Sequence, residues 1–272
     1  LLSLDADILI LDLGAGTHQS ILDFFLLSGQ GLVVSSPTVT ATLNAYLFLK
    51  NAVFRLMYSS FSKGSAALEY IESMRKEGTG LQKLYIPRLM DEIAKIDPAS
   101  HRKLKERLTF FRPRLIMNMI DDPKDAEKAL KIRRSCAEYL DVQLEHLGII
   151  YRDSLQETAL SARLPIIMYK SQSIIAQAIY RIADKILQTE EEGNILEGRT
   201  IDESFQEANL EAEIDFQSRM NYVEELLHCG ALSVGELAEI VRSQQFEINQ
   251  LRKENLFYKS KLAKAMAQGF AP

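Results

Sequence analysis

The sequence predicts an α/β protein: a mostly parallel sheet with flanking helices, a helical insertion, and a C-terminal helical tail that forms a coiled coil. Three observations carry this expectation. Four short apolar runs, each followed by a turn and then a helical pattern, read as strands buried on both faces. The interval between the second and third runs is much longer than one crossover helix. From Val241 onward the apolar residues recur in heptads.

The four runs are Ile8–Leu11, Gly31–Ser35, Leu115–Met119 and Leu147–Ile150. Their alternation with helical segments is the mark of right-handed crossover units. Asn44 to Phe111 reads as helical almost throughout, broken at Lys63-Gly64-Ser65, at Gly78-Thr79-Gly80 and at Asp97-Pro98. The insertion has a basic end, Arg102, Lys103, Lys105, Arg107, Arg112 and Arg114, which fits a solvated helix face better than an anion or nucleic-acid patch. After Tyr151-Arg152-Asp153-Ser154 come a helical stretch to Arg163, then Pro165-Ile166-Ile167. A helix over Ser173–Leu187 follows, with a stripe of Ile174, Ile175, Ala178, Ile179, Ile182 and Ile186. The expected organisation is an α/β core at 1–49 and 113–188, the insertion at 50–112, an acidic linker at 189–217, and helix plus coiled coil at 218–272.

The linker rests on composition: between Glu190 and Asp215 ten acidic residues stand against one basic residue, Arg199. Beyond it, Ser218–Cys229 reads as an amphipathic helix stopped at Gly230, and Ser233 with Glu236 forms a capping box. In the heptads Val241, Ile248, Asn255 and Leu262 take a, and Gln244, Leu251, Tyr258 and Ala265 take d. Glu247 and Glu254 fall at g, with Arg252 and Lys259 at e five residues later, the spacing that pairs chains in a parallel dimer. Val241, Ile248, Leu251, Asn255, Tyr258 and Leu262 are therefore the expected dimer interface. The alternative is a single amphipathic helix packed on its own domain.

Several function classes lose support. A net charge of −5 gives no global reason to bind nucleic acid. Residues 231–238 resemble the start of a winged helix, but no basic recognition helix follows. Leu1–Leu13 carries Asp5, Asp7 and Asp12 and no basic leading region, so it does not read as a signal peptide. No apolar run spans a bilayer, and Lys261–Gln268 is at most a weak membrane anchor. Cys136 and Cys229 lie far apart without partner spacing, which fits a cytoplasmic location. His18, His101, His146 and His228 are scattered, and no Cys/His/carboxylate spacing suggests zinc. Ser20, Ser154 and Ser161 have no visible base.

The first apolar run ends in Asp12-Leu13-Gly14-Ala15-Gly16-Thr17. A carboxylate at the end of a parallel strand sits where α/β folds hold ligands, and in phosphate-binding folds it orients a Mg²⁺ shell. The glycines after it permit close backbone approach. With Val33-Val34-Ser35-Ser36-Pro37-Thr38, Arg112-Pro113-Arg114-Leu115-Ile116-Met117-Asn118 and Leu147-Gly148-Ile149-Ile150-Tyr151-Arg152-Asp153, the chain resembles the MinD/ParA group of deviant-Walker P-loop ATPases. It looks closest to the bacterial, flagellar-number-regulator-like branch with a helical insertion, over about residues 4–188.

That resemblance implies a set of roles. Asp12 would act on the Mg²⁺ water as the catalytic and indirect metal residue, and Gly14, Ala15 and Gly16 would form the second switch. Asn118 would recognise adenine, and Tyr151 to Asp153 would wall the base; most of the group has Pro at the place of Tyr151. ATP and Mg²⁺ are the implied cofactors, and a homodimer with a regulatory or structural protein partner the implied assembly. No Gly-Lys-Ser or Gly-Lys-Thr occurs, so the P-loop NTPase fold is expected to be incomplete, its phosphate loop and first-switch aspartate preceding Leu1. These residues alone are accordingly expected to bind no nucleotide and to be inactive.

Overall fold

Three of the four expected strands form: β1 (Leu32–Ser35), β2 (Arg114–Ile120) and β3 (Glu145–Tyr151), all parallel, in the order β1-β2-β3. This computed structural model describes residues 5–76, 85–191, 201–230 and 234–267. It divides into one unit over Leu1–Phe216 and another over Gln217–Pro272. The expected strand Ile8–Leu11 is not one. It runs as exposed coil, with Ile10 85% accessible, and no described strand pairs with it. An apolar run becomes a strand only when a neighbour takes up its backbone groups.

The first unit is layered. Helix α1 (Gln19–Phe25) precedes β1, and α2 (Val39–Ser60) follows it, capped where Thr38 Oγ1 accepts the Ala41 N–H at 3.2 Å. The α2 helix runs straight through the boundary expected at residue 50, so the insertion begins only after it. It comprises α3 (Ala66–Lys76), α4 (Ile86–Ile96) and α5 (Pro98–Phe110). The expected breaks at Gly64 (φ +76°) and Asp97-Pro98 are present; in the latter Asp97 accepts the Ser100 N–H at 3.0 Å. The third break, at Gly78–Gly80, lies outside the described residues. The basic end does not form one patch. Arg102, Lys103 and Lys105 face solvent, Arg107 reaches the Ser59 and Ser60 hydroxyls, and buried Arg114 pairs with Glu145 at 3.0 Å.

Helix α6 (Glu127–Leu140), entered through a 3₁₀ turn at Pro123–Ala126, packs on α2. The same hydrophobic core takes in Val33, Leu115, Met117 and Ile149 from the sheet. After β3 come α7 (Ser154–Ser161), α8 (Ile166–Tyr169) and α9 (Ile174–Glu191). The α9 stripe covers the other sheet face, joining Ile182 to Ile116 and Leu147. It packs so closely on β3 that a Cβ at Gly148 would stand 2.8 Å from Ile182 Cγ1. This face is incomplete at β1, where Leu32 and Val34 stay exposed, so β1 is buried on one face only.

The region expected as an acidic linker is largely a packed helix. Helix α10 (Ile201–His228) buries Phe205, Ala208 and Ala212 in the core of the first unit. Ile201, Phe205, Ala208, Ala212 and Phe216 recur at helical spacing. Its acids are anchors: Glu211 meets Lys185 at 2.9 Å, Asp215 pairs with Arg181, and Asp202 pairs with Arg133. Lys185 also donates to the Leu147 carbonyl at 3.0 Å, tying α9, α10 and β3 together.

In the second unit α10 ends near Gly230, at φ +67°, as the glycine stop predicts. Helix α11 (Val234–Ala267) follows; the Ser233 cap lies outside the described residues. Cys229 is exposed, whereas burial pushes the thiol of Cys136 up to about 12. No helix among the described residues is long and apolar enough to cross a membrane.

Two predictions concern the packing of α10 on β3, where Phe205 meets His146. Phe205 is 2% exposed, stacked on His146 at 4.9 Å, with the Arg133 guanidinium over its ring. Phe205→Ala should cost about 3–4 kcal/mol in urea unfolding; a loss below about 1 kcal/mol means α10 is not docked. Burial, reinforced by the Lys185 charge, pulls the His146 imidazole down to about 3 from an ordinary 6.5. The folded state stays unprotonated there while the unfolded state takes up a proton. His146 therefore leaves stability whole above 6.5 and erodes it by about 1.4 kcal/mol per pH unit as pH falls toward 3. His146→Leu should flatten that arm of the stability–pH curve.

Candidate functional site

Parallel pairing brings the three strand ends to one edge of the sheet, the place where open α/β sheets hold ligands. Ser35 lies in register with Met117, and Asn118 with Ile150. The edge therefore collects Ser35–Thr38, Asn118–Asp122 and Tyr151–Asp153. Each strand exit is followed by a helical turn with its own cap. Thr38 caps α2, Asp122 accepts the Lys124 N–H at 2.8 Å, and Asp153 accepts the Leu155 N–H at 2.9 Å.

Asn118 stands half-buried at the end of β2. Its Oδ1 accepts the N–H of Met119 at 2.8 Å, which leaves the second lone pair of that oxygen and the Nδ2 donors for a ligand. Met119 adopts φ +61°, the left-handed region, within the irregularity between Asn118 and Ile120. The turn re-aims the chain outward, so that Asp121 meets Arg152 at 3.2 Å across the two exits. Sequence reasoning passed over Asp121 and Arg152 as a pair. The signal was an Asp-Asp-Pro turn directly after a buried strand, opposite an arginine directly after the next.

Tyr151 does not fit its expected role. It is 4% exposed, its hydroxyl donates to the Ala212 carbonyl at 2.9 Å, and its ring lies beside Phe216. A ring committed to the α10 interface cannot wall a ligand on the surface, which leaves exposed Arg152 and half-buried Asp153 as the flank. Asp153 itself is occupied as the α7 cap.

Asp12, Gly14, Ala15 and Gly16 lie in exposed coil. The Asp12 carboxylate accepts the Gly14 N–H at 3.3 Å, and Gly14 and Gly16 hold φ of +65° and +138°, so the loop is a local turn built on glycine. His18 caps α1, its Nδ1 2.8 Å from the Ser20 hydroxyl. Asp23 of α1 pairs with Arg55, which holds its carboxyl below the usual carboxylate range. Arg55 lies roughly 25 Å along α2 from Thr38 at ~1.5 Å per residue. The helix after the Asp12 loop is thus anchored at the far half of α2. No hydrogen bond or ion pair among the described residues joins the loop to Asn118.

Nor is there a group of three or more His, Cys, Asp or Glu among the described residues that could hold a metal ion. The residues present fit the base half of a nucleotide site in part and do not fit its phosphate half. No family model matches the chain, and no curated protein matches it significantly.

Met119 gives a test of the edge's geometry. A non-glycine residue in the left-handed region costs roughly 1–2 kcal/mol, and this side chain is 43% exposed. Met119→Gly should leave urea stability unchanged or raise it by up to ~1 kcal/mol. A clear loss would mean that the side chain is packed and the turn unstrained.

Proposed function

We propose that this chain forms the adenine-side half of a MinD/ParA-like regulatory ATPase, a bacterial cytoplasmic protein. In such a protein ATP and Mg²⁺ drive dimerisation and partner binding, and hydrolysis resets the spatial organisation of a structure such as the flagellum. The observation that carries the reading is the edge itself. Ser35–Thr38, Asn118 and Arg152–Asp153 meet at the carboxyl ends of three adjacent parallel strands, in the chain order the resemblance assigns them. Asn118 retains donors and a lone pair for a base. Asp12 and Gly14–Gly16 hold their roles by resemblance alone.

Phosphate binding in such folds rests on backbone amides of a glycine-rich loop and a lysine charge. None of these residues supplies that loop. A second reading is favoured by the burial of Tyr151 and the bare length of α11: a non-catalytic α/β scaffold that binds partners through its helical insertion and coiled coil.

Calorimetry with Mg-ATP on the intact gene product separates the two. The ATPase reading expects micromolar affinity that collapses in Asp12→Ala, and the scaffold reading expects no binding in either. Residues 1–272 should show no measurable ATP turnover, because they hold no Gly-Lys-Ser or Gly-Lys-Thr; turnover abolished by Asp12→Ala would overturn that argument.

A further inference from the structure

Helix α11 spans 34 residues, roughly 50 Å at ~1.5 Å per residue. From Val241 to Lys264 every described side chain is exposed. Val241, Ile248, Leu251, Tyr258 and Leu262 are between 40% and 62% accessible. Isolated helices are marginal in water, and their stability in proteins comes from burying an apolar face. A bare seam of this length has to be covered.

We infer that the cover is a second copy of the same helix, in a parallel, in-register, two-stranded coiled coil. Three features choose this occupant. The heptad extends to the first residue of α11, with Val234, Val241 and Ile248 at a and Leu237, Gln244 and Leu251 at d. β-Branched residues at a with leucine at d favour the parallel dimer. Asn255 at a lets two amides meet across the axis, which fixes register and strand number.

The third feature is charge. In a parallel pair g faces e of the partner, so Glu247 meets Arg252 and Glu254 meets Lys259. Turned antiparallel, g would face g and e would face e, setting glutamate against glutamate and cation against cation. The same sequence therefore rewards one orientation and penalises the other. Phe246, Leu256 and Phe257 lie off this seam and remain on the dimer's outer surface. The pairing is independent of the nucleotide reading, because it requires no ATP.

The test uses the full chain without nucleotide. Sedimentation equilibrium at micromolar concentration should give twice the 30.8 kDa chain mass; a monomer up to 50 µM, on the order of a weak dimer's Kd, overturns the inference. Ile248→Asp with Leu251→Asp should yield a monomer whose first unit melts as before, whereas a surviving dimer places the interface elsewhere. Glu254→Lys should weaken association ~10-fold, and adding Lys259→Glu should restore it. For orientation, Leu262→Cys in a Cys229→Ser background should form a disulfide-linked dimer on mild oxidation. Absence of that crosslink in a dimeric sample rules out the parallel register.

Discussion

The two parallel seams along β2 decide the rest of the first unit. Parallel neighbours cannot be joined by a hairpin, so each step across the sheet needs a crossover on one face. The sheet advances in one direction, β1 to β2 to β3, and right-handed crossovers then land on the same side. That is why α2 and α6, separated by three other helices, pack against each other. The opposite face is left to whatever follows β3, and α9 takes it. All three strands consequently open on one edge, and Asn118, Asp121 and Arg152 meet there because of topology.

The outer side of β3 is held by charge inside the fold. Lys185 is buried, and its ammonium group bridges a strand carbonyl and the Glu211 carboxylate on α10. Removing one partner of such a pair strands the other in a low-dielectric setting, at a cost of about 3–5 kcal/mol. Arg181 with Asp215 repeats the arrangement one turn along. The aromatic contacts of Phe205 with His146 and of Tyr151 with Phe216 supply the apolar part of the joint.

Much of this was legible in the residues. The strands containing Val33, Ile116 and Ile149 announced themselves as apolar runs bounded by turn chemistry, and the Asp97-Pro98 break is a cap written in two letters. The isoleucine stripe of α9 carries its own period. Two misreadings share one cause, that local pattern does not report partners. Ile8–Leu11 has the composition of a buried strand, but pairing is a property of two segments. Residues 201–216 have the composition of a spacer, while every third or fourth position is apolar and the acids between them meet Arg133, Arg181 and Lys185 from distant parts of the chain. The outward role of Tyr151 rests on the resemblance alone, and the α10 carbonyl that captures its hydroxyl lies 61 residues away. Asn118 lies near the end of β2, whereas the left-handed turn after it has no sequence signature, since methionine is not a residue that seeks it.

Among the described residues no strand pairs with the outer edge of β1, beside the accessible side chains of Leu32 and Val34. Such a border is a template, and any extended peptide of suitable direction can be zipped onto it. In concentrated solution the readiest peptide is the same border on another molecule, a slow stacking that competes with orderly pairing. A lysine in place of Val34 is the natural gatekeeper against it.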